Sequence, residues 1–276
     1  EATSFISIIK LLFGLKRSKI LSSPIFMALQ EQLKQQGDFL FKHRSYFPLL
    51  FIALALSAIA YHHQHNYTYS PTVLLISEFM QSIAIYVGLF GFLIRIYTIG
   101  FTPKNTSGRN TKEGQIADEL NTKGLYSLTR NPLYVGNFFM WMGTVLFTGV
   151  IWFFVLFVFI FWLYYERIIY AEEVFLREKF GNNYLNWAEK TPIFIPNNLS
   201  YDHPIMTFDW KKIIIKEKTG LFMLFLVFFG FQLFSGFVIT HFLVVEFNFI
   251  TYGTIFSFVF YIVIKTMQSS KLFSVE

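Results

Sequence analysis

The chain has 276 residues, of which 54% are hydrophobic and only 14% carry a charge. Aromatic residues reach 21%, and the mean hydropathy is +0.47. A soluble domain of this composition would expose large apolar patches, and a disordered chain needs low hydrophobicity and high charge. The absence of cysteine excludes disulfides, thiolate metal sites and a cysteine nucleophile. The composition therefore predicts a polytopic membrane protein.

The first 45 residues precede the apolar part of the chain. Residues 5–15 mix apolar side chains with Lys10, and Lys16, Arg17 and Lys19 follow them. Apolar residues with basic flanks are typical of a helix that lies in the membrane interface. We therefore expect residues 1–45 to form an N-terminal interfacial segment.

Six apolar stretches, with their flanking aromatic residues, are long enough to cross a bilayer. They cover residues 46–61, 72–94, 133–148, 150–165, 221–240 and 249–266. Only Gly149 separates the third stretch from the fourth, which predicts a tight helical hairpin turning at residues 147–149. Residues 209–218 (DWKKIIIKEK) are predicted to form another interfacial helix, with Asp209 as its N-cap. The expected fold is all-α, with about six transmembrane helices and additional interfacial amphipathic helices.

The charges predict which side of the membrane each loop faces. Six spans place both termini on one side of the membrane, here called the near side, and the opposite side is called the far side. Three loops join the spans on the far side, namely residues 62–71, Gly149 and residues 241–248, and they contain no Lys or Arg. All 23 basic residues therefore lie on the near side, counting Lys265 at the near end of the last span. The positive-inside rule makes the near side cytoplasmic. We expect a multi-pass membrane protein, in the inner membrane if its source is bacterial. The HHQH sequence at residues 62–65 lies in a short loop, which rarely supplies a closed metal coordination shell, so no metal is expected.

The first near-side stretch with the residue types of a reaction site is GLYSLTRNPLYVG, residues 124–136. Gly124 permits a positive φ or a close backbone approach. Pro132 suits the first turn of a helix, because its missing N–H costs nothing there. The first-turn N–H groups of that helix would then face a negatively charged ligand. A plain helix start anchored at the interface by Arg130 is the alternative for this stretch alone.

The second stretch is AEEVFLREKFGNNY, residues 171–184. Glu172 and Glu173 follow directly on the apolar residues of the fourth span. Helical continuation would place Arg167, Tyr170 and Glu173 on neighbouring turns. A carboxylate beside the membrane is costly unless it has a cationic or hydrogen-bonding partner. A solvated pair of carboxylates is the alternative here, but the two stretches together favour a site.

Together the two stretches resemble the membrane-embedded methyltransferases typified by isoprenylcysteine carboxyl methyltransferase and the phospholipid methyltransferases. That family pairs a G-x-Y…R-H-P-x-Y-x-G element with an E-E-x-x-L-x-x-x-F-G-x-x-Y element one helical hairpin later. The resemblance covers about residues 98–196, and the last two spans look like an addition to the core. The matching residues are Gly124, Tyr126, Arg130, Asn131, Pro132, Tyr134 and Gly136, then Glu172, Glu173, Leu176, Phe180, Gly181 and Tyr184.

The resemblance implies a cytoplasm-facing cleft for S-adenosylmethionine. It implies that Arg130 and Arg167 act in catalysis. Asn131 stands where His is commoner; an amide still donates and accepts hydrogen bonds, but an imidazole base is lost. The residues implied to bind the cofactor are Asp118, Glu119, Leu120, Asn121, Gly124, Tyr126, Asn131, Pro132, Leu133, Tyr134, Glu172 and Glu173.

The resemblance also suggests how the chain is organised and what it meets. Residues 46–200 are expected to form the membrane methyltransferase core. Residues 201–276 are expected to add an interfacial helix and two further transmembrane helices. The expected partners are the bilayer and a membrane lipid or lipidated substrate, with no nucleic acid, and the oligomeric state is left open.

The methyl acceptor is predicted from the charges near the two stretches. Arg109, Lys112, Arg130 and Arg167 favour an anionic phosphate or carboxylate, which is already ionised at pH 7, whereas an ammonium must first lose a proton. Lipid A 1-phosphate methyltransferase, a bacterial relative in the resembled family, fits such an acceptor. The alternatives are a phosphatidylethanolamine-type N-methyltransferase, an NADPH-dependent sterol-type reductase, and a transporter or scaffold. Glu172 and Glu173 disfavour the reductase, because two carboxylates would repel a 2′-phosphate.

Overall fold

The computed structural model describes residues 28–65, 71–103, 109–111, 114–197 and 200–270. These ranges form eight α-helices and one short β-hairpin, so the predicted all-α class is confirmed, although the hairpin was not predicted. The hairpin pairs β1 (Arg109–Thr111) with β2 (Gly114–Ile116) in antiparallel register. The helices are α1 (Leu29–Lys42), α2 (Phe47–His65), α3 (Pro71–Gly100), α4 (Pro132–Phe147), α5 (Ile151–Phe180), α6 (Asn182–Ala188), α7 (Trp210–Thr240) and α8 (Phe249–Ser269).

Among the described residues, five helices are long and apolar enough to cross a membrane, namely α2, α3, α5, α7 and α8. Helix α4 is also apolar but has only 16 residues, fewer than the ~20 of a straight crossing. These six helices occupy the six predicted spans, and the multi-pass membrane character is confirmed. The side that each loop faces and the division at residues 45 and 200 stay predictions.

The hairpin predicted at residues 147–149 joins α4 to α5. Helix α4 ends at Phe147, Gly149 adopts a φ of +70°, and α5 begins at Ile151. With 30 residues, α5 is about 45 Å long, which exceeds a hydrocarbon core of ~30 Å. Its last turns therefore extend past the core on the near side, and the second motif lies on the same continuous helix as the fourth span.

The prediction that residues 209–218 form a separate interfacial helix is wrong. Asp209 does cap a helix, because its carboxylate accepts from the Lys212 N–H at 2.9 Å, but that helix is α7 and runs unbroken to Thr240. The reason is that Lys212 and Glu217 are buried, at 3% and 4% exposure. Lys212 donates to the Thr102 carbonyl oxygen and Glu217 pairs with Arg95, so these first turns pack within the bundle. The N-terminal helix predicted at residues 5–15 lies outside the described residues.

Phenylalanine rings and close helix contacts fill the core of the bundle. Phe51, Phe153 and Phe157 are each no more than 1% exposed. Helices α3 and α4 approach closely at glycines, since a Cβ at Gly143 would lie 2.5 Å from the Ala84 carbonyl oxygen. Small residues at helix interfaces allow this kind of backbone approach in membranes.

Helix α1 packs along the near-side extension of α5. A side chain at Gly37 would collide with the Arg167 carbonyl oxygen and with Ala171. The Tyr164 hydroxyl donates to the Leu40 carbonyl oxygen at 3.3 Å, and its ring stacks on Phe47 at 3.6 Å. The last turns of α5, which carry the second motif, are thus supported from outside the hairpin.

Candidate active site

The first motif starts in a tight turn that is tied to a later part of the chain. Gly124 opens a 3₁₀ turn (Gly124–Ser127) with a φ of +62°, as the sequence predicted. Its N–H donates to the Asp202 carbonyl oxygen at 2.9 Å, and the Lys123 ammonium lies 3.0 Å from the Asp202 carboxylate. The Ser127 hydroxyl accepts from the Asp202 N–H at 3.0 Å. The turn is therefore held against the part of the chain around Asp202.

The two motifs meet at Glu172, which is mostly buried. The Tyr134 hydroxyl, one turn into α4, lies close to the Glu172 carboxylate and interacts with it. Burial, together with the nearby charge of Glu172, raises the pKa of Tyr126, so this phenol stays protonated at neutral pH and can act as a hydrogen-bond donor. Three residues of the predicted cofactor set thus come together although they lie on three different elements.

A second contact between the motifs joins Arg130 to Glu173. The Arg130 Nη1 lies 3.1 Å from the Glu173 Oε1, and the two side chains are 14% and 17% exposed. Tyr184 is buried beside this pair, where burial and then the charge of Glu173 raise its pKa. The predicted helical continuation thus gives Glu173 a cationic partner, which is Arg130 of the first motif.

Residues 191–194, here called the 191–194 segment, lie against the entrance of α4. The Arg130 N–H donates to the Pro192 carbonyl oxygen at 2.9 Å. Thr129 Oγ1 and Asn131 Nδ2 both donate to the Ile193 carbonyl oxygen, at 3.0 and 3.1 Å. Asn131 therefore fixes this segment, a structural role that follows from an amide and that sequence reasoning did not predict.

Two cavities border the 191–194 segment. A cleft of about 600 Å³ with a mixed polar and apolar lining includes Thr191 and Pro192, with Ser127, Trp187 and Lys190. A cavity of about 200 Å³ has a mainly apolar lining. Its residues are Phe161, Trp162, Tyr165, Glu166, Ile169, Tyr170, Glu173, Ile193 and Phe194. The segment thus contributes residues to both a mixed cleft and a mainly apolar cavity.

The structure does not bring every predicted residue to this cluster. Arg167 faces α1 instead, where its Nε donates to Gln36 Oε1 at 2.9 Å and its Nη1 lies 3.7 Å from Glu166. The reason is helical geometry, because five residues on a helix rotate Arg167 by about 140° from Glu172. In the loop before the 3₁₀ turn, Asp118 and Glu119 are exposed, and Leu120 and Asn121 are half-buried. Pro132 is buried in the first turn of α4 as predicted, with Leu133 half-buried beside it.

Sequence reasoning missed a polar network beside the cluster. Arg95 of α3 donates to Glu217 of α7 through Nε at 3.1 Å and Nη2 at 2.5 Å. Its Nη1 donates to Asn137 Oδ1 at 2.6 Å, and Asn137 Nδ2 donates to the Tyr165 hydroxyl at 3.3 Å. The signal was missed because the predicted span ended at residue 94, whereas helix α3 continues to Gly100 and places Arg95 within it.

Arg44 is a second residue that the sequence did not indicate. It lies in the turn between α1 and α2, with its guanidinium 4.0 Å from the centre of the Phe41 ring and Nη1 donating to the Phe41 carbonyl oxygen at 3.0 Å. Its side chain is exposed, yet it lies near enough for its charge to act on Glu172 and Tyr134. Arg44 therefore places positive charge at the mouth of the cluster.

Comparison with known proteins agrees with this arrangement. A sequence model described as phospholipid methyltransferase matches residues 78–183, which hold both motifs apart from Tyr184. This part of the chain is therefore similar to the phospholipid methyltransferases. The resemblance predicted from the two motifs is confirmed. The family segment, residues 78–183, starts earlier than predicted, and α7 and α8 lie outside it.

A relative of known activity covers a smaller part of the chain. Over 76 residues the chain is 37% identical to protein-S-isoprenylcysteine O-methyltransferase from Schizosaccharomyces pombe. The aligned part is 27% of this chain and 32% of that protein, so the chain aligns with about a third of its relative's length. No solved structure matches the chain significantly.

Proposed function

We propose that the protein is an S-adenosylmethionine-dependent methyltransferase that methylates an anionic head group, phosphate or carboxylate, on a membrane lipid or lipidated substrate. The observation that carries the proposal is the convergence of both motifs on Glu172 within the family segment. Glu172 lies 21 residues after the start of α5, which is about 32 Å along the helix and hence close to the near-side membrane interface.

The polar groups of the cluster fit S-adenosylmethionine. Arg130 Nε and the Tyr184 hydroxyl are buried and make no hydrogen bond within the protein, and buried polar atoms without a partner are rare in folded proteins. They would hold the carboxylate or the hydroxyls of the cofactor, and Glu172 would hold one of its cationic groups. When bound, the cofactor supplies a methyl group carried on a positively charged sulfur.

The cavity beside Glu173 suits the lipid part of a substrate, because its lining is mainly apolar. The cofactor would bind at the cluster around Glu172, and the mainly apolar cavity lined by Glu173 would admit the chain of a lipid. An in-line displacement mainly requires that the reacting groups be aligned and that water be excluded. The half-buried aromatic residues around the cavity would exclude water from the acceptor side.

The side chains at the site favour an acceptor that is already ionised. Tyr126 stays protonated because its pKa is raised, so it can donate a hydrogen bond but cannot take up a proton. Of the predicted cations, Arg130 is paired with Glu173 and Arg167 faces α1. Arg44 is an exposed cation whose charge acts on Glu172 and Tyr134, and a guanidinium binds carboxylate or phosphate in bidentate fashion. The name of the fission-yeast relative, an O-methyltransferase, also favours oxygen over nitrogen.

Thermal shift in detergent tests the cofactor. S-adenosylhomocysteine at 100 times its Kd should stabilise the protein by about 2.7 kcal/mol, and NADPH should have no effect. Stabilisation by NADPH without any effect of S-adenosylhomocysteine would favour the sterol-type reductase and overturn the proposal.

Mass spectrometry of a lipid extract tests the acceptor. After incubation with S-adenosylmethionine labelled in the methyl group, the label should appear on a phosphate or carboxylate ester. Label found only on an ethanolamine nitrogen would replace the anionic acceptor by an amine and leave the methyltransferase assignment standing.

A further inference from the structure

The pair formed by Arg95 and Glu217 joins the family segment to a helix outside it. Arg95 lies on α3 and Glu217 on α7, and the two are 122 residues apart in the chain. Glu217 is 4% exposed and accepts from two nitrogens of Arg95. Desolvating a carboxylate in a membrane protein is costly, so a pair kept at this position needs a reason beyond attaching α7.

The pair is connected to Glu172 by an unbroken series of contacts. Arg95 holds Asn137 at 2.6 Å, and Asn137 holds the Tyr165 hydroxyl at 3.3 Å. The Tyr165 ring packs against the Tyr134 ring with centroids 4.7 Å apart, and Tyr134 lies close to Glu172 and interacts with it. Four helices, α3, α4, α5 and α7, therefore meet in one polar network beside the cluster.

The glycine that ends the first motif leaves the space that Arg95 occupies. A Cβ at Gly136 would lie 2.6 Å from Arg95 Cγ and 2.9 Å from the Gly91 carbonyl oxygen. Without a side chain at Gly136, the stem of Arg95 passes along α4 and reaches Asn137, one residue further on. Gly136 of the first motif thus makes room for Arg95, which lies outside that motif.

We propose that Arg95 and Glu217 are positioning residues of the active site. Glu217 fixes Arg95, which orients Asn137 and Tyr165, and these set the position of Tyr134 and Glu172. The inference rests on the proposed function, because it concerns the cofactor cluster. It makes α7 a part of the active site and not an appendage to it.

A double apolar replacement separates positioning from simple stabilisation. Exchanging both members of a buried ion pair for apolar residues of similar size often leaves stability unchanged, whereas removing one member leaves a buried charge unpaired. In Arg95→Met/Glu217→Leu the melting temperature should stay near that of the wild type. The affinity for S-adenosylhomocysteine, measured by calorimetry in detergent, should fall about 10-fold, because Asn137 loses its donor and Tyr165 its anchor. Unchanged affinity in the folded double variant would overturn the proposal.

Ser235→Ala is the matched control for the docking of α7. It removes the 2.7 Å hydrogen bond between Ser235 of α7 and His63 of α2, which lies at the other end of the helix. The affinity for S-adenosylhomocysteine should stay within about 2-fold of the wild type, because distant sites act independently. An equal loss in this variant would show that any loosening of α7 weakens binding and would overturn the positioning role.

Tyr165→Phe keeps the inference testable if the double variant does not fold. It removes only the hydroxyl that accepts from Asn137 and keeps the ring that packs on Tyr134. The affinity should fall about 3-fold, and unchanged affinity would overturn the proposal. A wild-type protein that does not bind S-adenosylhomocysteine would remove the proposed function, whereas binding by the wild type with undiminished binding by the variants would remove only this inference.

Discussion

The two ends of the helix bundle differ in the residue types that fill their interior. The near end holds buried charges and tyrosines, with the pairs of Arg95 and Glu217 and of Arg130 and Glu173 on either side of Glu172. Towards the far end, phenylalanine rings such as Phe157 and close backbone contacts fill the same space. Charges are expensive beside lipid, so their concentration at one end indicates that this end is kept for chemistry and the other for stability. Substitutions at the two ends should therefore affect different properties.

The largest effect is expected in a test of which compartment each end faces. The chain lacks cysteine, so single cysteines can be placed at Gln64 near the far end and at Asn183 near the near end, both of which are exposed. A membrane-impermeant maleimide added to sealed vesicles should label one and not the other. Labelling of both from the same side would disprove the six-span arrangement and with it the contrast between the ends.

Phe157→Ala should lower stability without affecting the cofactor site. Phe157 is fully buried, with the rings of Phe51, Phe138 and Phe161 within 5.3 to 5.6 Å. Truncation should cost about 3–5 kcal/mol of unfolding free energy, because it leaves a cavity. Thermal melting in detergent measures the loss, and calorimetry should find an unchanged affinity for S-adenosylhomocysteine.

Phe159→Ala provides the control on the same helix. Phe159 is 64% exposed, on the face of α5 where lipid would lie, so its truncation should change the unfolding free energy by less than about 0.5 kcal/mol. Equal destabilisation by both variants would mean that aromatic content, and not packing in the core, governs stability at this end.

Glu172→Gln, in contrast to Phe157→Ala, should lower the affinity for the cofactor and leave stability nearly unchanged. A hydrogen bond to a charged group contributes about 1.5–3 kcal/mol, so the affinity for S-adenosylhomocysteine should fall about 10- to 150-fold while the melting temperature changes little. Glu178→Gln is the control, because Glu178 is an exposed carboxylate further along α5. Undiminished binding by the folded Glu172 variant would remove this residue from the site.

The smallest effect is expected from pH. A phosphate or carboxylate acceptor keeps its charge between about pH 6 and 8, apart from a second phosphate ionisation, so the rate should be nearly flat there. Burial raises the pKa values of Tyr126 and Tyr184 above the ordinary 10.0, so both stay protonated in this range. Because the folded chain holds these protons more tightly than the unfolded chain, their effect on stability is a loss that begins only above about pH 10. A rate that climbs steeply from pH 6 to 8 would indicate an amine acceptor.

Local features of the fold were predictable from the sequence. Six apolar helices and the turn at Gly149 follow from hydropathy and from a single glycine between two spans. The N-cap of α7 at Asp209 was also predicted, but the burial of its first turns was not predictable in this way. Lys212 and Glu217 look like solvated residues until their partners, Thr102 and Arg95, are known.

The residues of the candidate site also fall into those that the sequence could predict and those that only the packing reveals. Residues within the motifs, such as Tyr134 and Glu172, could be found from their spacing, because each motif lies on one or two neighbouring elements. Arg44 and Glu217 lie far from the motifs in sequence and join the cluster only through packing. Arg167 shows the converse, because it lies near Glu172 in sequence but the helical rotation turns it towards Gln36.

The unbroken course of α5 makes bilayer thickness part of the site's geometry. The helix runs unbroken from Ile151 to Phe180, so Glu172 lies on the same helix as the fourth span. The ~32 Å between Ile151 and Glu172 nearly equals the thickness of an average hydrocarbon core. In short-chain lipids the carboxylate stands clear of the head groups, and in long-chain lipids it is drawn towards the acyl chains unless the helix changes its tilt. The acyl-chain length of the host membrane therefore affects the distance between Glu172 and the plane of the lipid head groups.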